Sequence, residues 1–130
     1  VSRVFLSGAL QDLPETERQA LVNSFKRHVA GEPIPSFGRD ELYDHPHTPP
    51  LVRAEAVAHI HLEDPLTPWP LGRDPHRNTS DIHLVYCQGF RHADCYLLMA
   101  ILQPDAHAQA RQFRIMTRLG VMAEKFRQQY

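Results

Sequence analysis

Two short apolar runs limit the fold of this chain more than anything else in it. The first is Ile82-His83-Leu84-Val85-Tyr86-Cys87-Gln88-Gly89. The second is Cys95-Tyr96-Leu97-Leu98-Met99-Ala100-Ile101-Leu102, and a polar turn through Asp94 separates them. Runs of this length, rich in β-branched, aromatic and leucine residues and split by turn chemistry, predict an antiparallel hairpin. Pro104 ends the second strand, because proline cannot donate to a ladder and biases its neighbour away from helix. His107-x-x-x-Arg111 follows at the start of a helical pattern. A histidine thus opens one strand, and a histidine and an arginine lie just past the end of the other. The hairpin brings both places to one edge of the sheet.

The rest of the chain reads as elements built around that hairpin. Arg3-Val4-Phe5-Leu6 is β-prone. Ser7 to Leu13 reads as a turn into a helix, with Asp12 able to cap it and Pro14 suited to its first turn. Leu21, Val22, Phe25 and Val29 continue that helix at near-helical spacing, and Gly31 suits its end. His28 is expected to serve the helix dipole there. After Pro33 and Pro35, Asp40-Glu41-Leu42-Tyr43 reads as a helical turn stopped by His45-Pro46-His47. The two histidines of that loop are expected to be solvated. Val57-Ala58-His59-Ile60-His61-Leu62 alternates as a strand, with the histidines on one face. Glu63 to Ser80 is a loop longer than compact domains usually carry without a use. A last helix is expected from about Asp105 to the C-terminus, with an apolar stripe of Ile115, Leu119, Met122 and Phe126. Arg111, Arg114, Arg118 and Lys125 flank the stripe and are expected to line a groove beside the sheet edge. The sum is one α+β domain over residues 1–130. Its four strands form a small, mainly antiparallel sheet with an N-terminal and a C-terminal helix against one face.

Composition adds three constraints. At 130 residues and 42% hydrophobic, the chain can bury a core without staples. No apolar run approaches the length of a membrane span or a secretory signal, so a cytoplasmic protein with no membrane contact is expected. Cys87 and Cys95 fit no metal or redox spacing and are expected to be free thiols. The formal net charge of −1 is unevenly spread. Residues 107–130 carry five basic side chains against one acidic, a net of +4, and the remainder carries −5. A basic C-terminal element suggests an anionic partner, although a solvated helix face gives the same pattern.

Nine histidines are several times the usual share. His59, His61, His83 and His107 come from two strand regions and a helix start, and Arg111 joins them. Imidazoles can act as acid and base near neutral pH, and arginines can stabilise a phosphoryl transition state. That set suffices for metal-free RNA cleavage. His83 and His107 sit at element ends, so both are expected to be replaceable without cost to the core. His59-x-His61 is also compatible with a metal, completed by His83 or His107. No His-Glu-x-x-His motif or aspartate pair supports that, and neither metal nor cofactor is expected. The plainest alternative is a set of surface histidines paired with carboxylates.

The chain resembles the YafO family of bacterial type II toxins. The likeness is carried by Arg3-Val4-Phe5, Phe37-Gly38-Arg39-Asp40 with Leu42-Tyr43-Asp44, and Val57-Ala58-His59-Ile60-His61-Leu62. It continues through His83-Leu84-Val85-Tyr86-Cys87-Gln88-Gly89, Ala100-Ile101-Leu102 with Pro104, and His107 with Ala110-Arg111. It ends with Gly120, Met122-Ala123-Glu124 and Phe126-Arg127. The resemblance implies a RelE-like fold and ribosome-dependent cleavage of mRNA, restrained by a YafN-type antitoxin. It places catalysis among His59, His61, His83, His107 and Arg111, with RNA or ribosome contacts from Arg39, Arg114, Arg118, Lys125 and Arg127. RelE-like toxins are usually strongly basic, and this chain is nearly neutral, which suits a weak binder of free RNA that acts only on the ribosome. A toxin that blocks translation by occupancy alone is the alternative.

Overall fold

A computed structural model describes all 130 residues. The hairpin is its centre. Strand β4 (His83–Gln88) pairs antiparallel with β5 (Cys95–Leu102), and β3 (Ala58–Leu62) pairs antiparallel with β4 on the other side. Strand β1 (Arg3–Leu6) joins the outer edge of β5, running parallel to it. A fifth strand, β2 (Phe37–Leu42), closes the opposite edge against β3, giving the order β1-β5-β4-β3-β2.

β2 replaces the helical turn expected at Asp40 to Tyr43. Its Phe-Gly-Arg-Asp-Glu-Leu sequence lacks a strand's usual apolar alternation because it is an edge strand of which only Phe37 joins a hydrophobic core. One extra residue between Phe37 and Asp40 bulges the strand. Gly38 occupies the bulge, where a Cβ would collide with the Asn78 carbonyl and the Trp69 ring.

The expected helices form, with revised ends. The Ser7 to Leu13 turn contains a short helix, α1 (Gly8–Gln11), and α2 spans Glu15–Val29 with Pro14 rather than Asp12 at its N-cap. Glu15 and Glu17 in its first turn and Lys26, Arg27 and His28 in its last complement the macrodipole. Gly31, at φ +96°, ends it in a Schellman motif: its N–H donates to the His28 carbonyl at 3.0 Å and the Glu32 N–H to the Arg27 carbonyl at 3.0 Å. Helix α3 (Pro50–Ala54) follows Pro49, in a stretch without a helical apolar period. The expected C-terminal helix is two: α4 (Ala106–Gln109) and α5 (Phe113–Gln129).

The helices cover both faces of the sheet, not one. Phe25 of α2 clusters with Ile60, Leu84 and Leu98 on the first face. Val52 of α3 and Met116, Leu119, Ala123 and Phe126 of α5 cluster with Val85, Cys87, Cys95, Leu97 and Met99 on the second. Strand alternation sorts the residues: Ile60 and Leu84 go one way, Val85 and Cys87 the other. The register of β4 against β5 slips by one residue, with Val85 opposite Ala100 and Tyr86 opposite Leu98, so Met99 is the extra residue. The Ser7 hydroxyl donates to the Met99 carbonyl at 2.7 Å, satisfying the group the bulge frees. Cys87 and Cys95 are free and buried. No helix is long and apolar enough to cross a membrane.

Candidate active site: a four-histidine cleft

The second face is not fully covered. Where β3 ends and β4 begins, α5 has passed by, and a cleft of about 340 Å³ opens beside the end of the sheet. His61 and His83 are direct cross-strand partners. His59 lies two residues back on the same face. The ring centroids of His59 and His83 are 4.4 Å apart, those of His61 and His83 4.5 Å, and those of His83 and His107 5.0 Å. The four histidines therefore converge, as the alternation and the hairpin geometry require.

Their environments differ sharply. His59, His61 and His83 are 6%, 3% and 2% exposed. Burial, reinforced by the neighbouring imidazoles, holds His59 and His83 down to about 3, so both are neutral at pH 7. Burial also lowers His61, opposed by its hydrogen bond with Ser80. His83 is thus not the dispensable strand-end residue expected. It begins β4, but its ring is enclosed by the cleft's inner wall, and its Nδ1 lies 2.9 Å from the Tyr43 hydroxyl. Tyr43 also stacks on His59, centroid to centroid at 4.0 Å. Two buried ring nitrogens, His59 Nδ1 and His83 Nε2, have no hydrogen-bond partner.

His107 is the exposed member, with 63% of its side chain accessible. Asp105, at φ +59°, turns the chain out of β5, a conformation Asp tolerates better than most residues. Asp81 then fixes α4 in place. Its carboxylate accepts from the His107 backbone N–H at 2.9 Å and lies 2.7 Å from His107 Nδ1, and its carbonyl accepts from the Ala106 N–H at 3.1 Å. Those contacts, the backbone N–H first, pull Asp81 below its usual range, so it is ionised and can only accept. Nδ1 of His107 therefore carries a proton toward Asp81, leaving Nε2 to face the cleft.

Arg111 lines the cleft with His107, and Arg39 lines it from β2. Arg39 is held by its Nε donating to the His76 carbonyl at 2.7 Å. Of the four basic residues expected along one groove, only Arg111 reaches it. The break before Phe113 puts Arg111 outside α5, and Arg114, Arg118 and Lys125 are exposed on the helix away from the cleft lining. Arg127 is half-buried, 3.4 Å from Glu55 and over the Phe90 ring at 5.4 Å.

Several lining residues escaped sequence reasoning. Tyr43 and Glu41 were hidden by the helical reading of their segment, though their i, i+2 spacing is a strand signal. His45 and His47, expected to be merely solvated, stack at 4.7 Å on the cleft rim. Asp81 lies two residues before His83, the first residue of β4, and its pairing with His107 follows from the same geometry that joins His83 to His107.

Comparison with known proteins agrees along the whole chain. The family model "Toxin YafO, type II toxin-antitoxin system" matches residues 23–128. The chain is 40% identical over 131 residues to the mRNA interferase toxin YafO of Escherichia coli (strain K12), covering 98% of this chain and 99% of that protein. No solved structure matches it. The chain belongs to the YafO family of type II toxin-antitoxin toxins.

Proposed function

We propose that this protein is an mRNA interferase, a ribosome-dependent endoribonuclease that cleaves translated mRNA by acid–base chemistry in the four-histidine cleft. What carries the reading is the convergence of three neutral imidazoles with one exposed, carboxylate-oriented imidazole and two arginines. It does so in a chain similar over its full length to a protein named for that activity.

The residues divide the reaction between them. A neutral imidazole of His59, His61 or His83 accepts the 2′-OH proton of the RNA. The 2′-oxygen attacks the adjacent phosphorus, and the bond to the 5′-oxygen breaks. His107 Nε2 gives its proton to that leaving oxygen, leaving a 2′,3′-cyclic phosphate and a 5′-hydroxyl. Asp81 orients the His107 ring and balances the charge of its imidazolium. Arg39 and Arg111 face the charge that builds on the phosphoryl oxygens. Arg114, Arg118 and Lys125 offer an exposed cationic surface on α5, away from the cleft lining, for ribosomal RNA or for an acidic, YafN-type antitoxin segment that folds as it binds.

Primer extension on a translated message tests the assignment. Discrete cleavage is expected with the parent chain and none with His107→Ala. A growth-inhibiting chain that leaves every message intact would instead mark a toxin acting by occupancy.

A further inference from the structure

We propose that His59, His61 and His83 also form a binding site for one divalent transition-metal cation of the zinc type, which closes the cleft to RNA. One ring nitrogen from each residue lies within 4.8 Å of the other two. A tetrahedral ion with bonds of about 2.1 Å needs nitrogens about 3.4 Å apart, so rotations of no more than about 1.4 Å complete the set.

Four features of the trio point to a metal rather than to idle burial. The first is the pair of buried nitrogens, His59 Nδ1 and His83 Nε2, that no protein group satisfies. Leaving such atoms unpaired is destabilising, and a cation relieves that cost. The second is the outer ring of contacts. His61 Nδ1 lies 2.9 Å from both the Ser80 carbonyl and the Ser80 backbone N–H, and His83 Nδ1 lies 2.9 Å from the Tyr43 hydroxyl. Metal-bound histidines almost always donate their other ring N–H to such a partner, which fixes the tautomer. The third is donor type: all three are imidazoles, side chains that bind a metal through a neutral ring nitrogen. The fourth is access. Three protein ligands on one side and the cleft on the other leave the further position of an open site. An all-imidazole set favours zinc, copper, nickel or cobalt over magnesium and calcium.

The sequence conceals this site. His59-x-His61 is a common pattern, and the third ligand arrives 22 residues later through the cross-strand pairing of His61 with His83. The absence of a recognised ligand spacing therefore says little here, because the sheet supplies the spacing.

The consequence for activity rests on the function proposed above. The lone pairs that would accept the 2′-OH proton are those a metal would hold, so zinc and RNA cleavage exclude each other.

Metal binding and cleavage are measured separately, so either proposal can fail alone. Chelator-stripped protein is dialysed against zinc and titrated with cobalt. One ion per chain and the visible bands of four- or five-coordinate cobalt are expected. His61→Gln and His83→Gln should each weaken binding about tenfold or more, with circular dichroism showing a retained fold. Tyr43→Phe, which keeps the ring and removes only the outer hydroxyl, should weaken it about tenfold. A His45→Gln, His47→Gln double variant should bind as the parent does. Absence of stoichiometric binding overturns the site, as does undiminished binding in both the Tyr43→Phe and His61→Gln variants. Loss of binding in the rim double variant would move the metal to His45 and His47. Zinc-loaded protein is expected to leave messages uncut, and full cleavage by it would refute the competition while leaving the site.

Discussion

Helix α2 seals its face of the sheet, whereas α5 leaves the other face open at one end. The contrast separates structure from chemistry within single strands. On β3, Ile60 goes under α2, while its neighbours His59 and His61 turn to the cleft. The sealed face has polar groups too, and a linked set of three of them is paired. Tyr86 donates to Asp40 Oδ1 at 2.6 Å, and His28 Nε2 lies 2.8 Å from Asp40 Oδ2. That trio pins α2 to β2 and β4. The open face keeps His59 Nδ1 and His83 Nε2 without partners. The fold thus gives His28 Nε2 a carboxylate and leaves one buried nitrogen each of His59 and His83 unpaired beside the cleft.

Substitutions on the two faces should therefore fail in different ways. The largest effect is expected at His107→Ala: cleavage falls about 10²–10⁴-fold with no change in melting temperature, since the side chain is mostly exposed. Primer extension and thermal denaturation read the two outcomes, and an active His107→Ala protein would remove this residue from the chemistry. Next is Phe25→Ala on the sealed face, which should cost about 3–5 kcal/mol in denaturant unfolding while folded molecules cleave normally. Impaired cleavage by folded Phe25→Ala protein would show that the faces are not independent.

A smaller effect concerns pH. In metal-free protein, buried His59 and His83 stay neutral down to about 3, against 6.5 in the unfolded chain. The unfolded state thus takes up protons that the folded state refuses. Stability is full above about 6.5, declines as pH falls, and this contribution is lost below about 3. The slope is up to about 1.4 kcal/mol per pH unit for each imidazole. Urea midpoints across that window measure it, and a flat profile would show the histidines to be protonated in place. The smallest expected change is Arg111→Lys, which keeps the charge but loses the planar fork and should retain part of the cleavage that Arg111→Ala loses. Equal activity of the two variants would put Arg111 outside transition-state contact.

The open face was more legible in the sequence than its cover. The β4–β5 hairpin was plain because both runs are apolar and bounded by turn residues. The convergence of four histidines followed from alternation in β3 and from the hairpin's geometry. β2 was not legible, since an edge strand may carry Arg39, Asp40 and Glu41 in succession without burying them. With β2 went Tyr43, which stacks on His59 and reaches His83 with its hydroxyl. The split between α4 and α5 was also hidden. Helical periodicity runs smoothly through Gln112, although the helix breaks there between α4 and α5. Burial of His83 could not be read either, because it depends on Tyr43 arriving from β2.

The loop from Glu63 to Ser80 brings Thr79 to the cleft wall, and its attachment has a consequence for how such a protein can change over generations. It is held largely through main-chain carbonyls. The Arg39 N–H donates to the Asn78 carbonyl at 2.8 Å, the Arg39 side chain to that of His76, and the Trp69 indole to that of Thr79 at 2.8 Å. Every amino acid offers that acceptor. The exposed side chains of His76 and Thr79 are thus free to be exchanged without loosening these bonds, and the hydrophobic clusters on the sheet do not register the exchange. A lineage can re-cut the border of its cleft, and with it the RNA shapes admitted, while inheriting its folding unchanged.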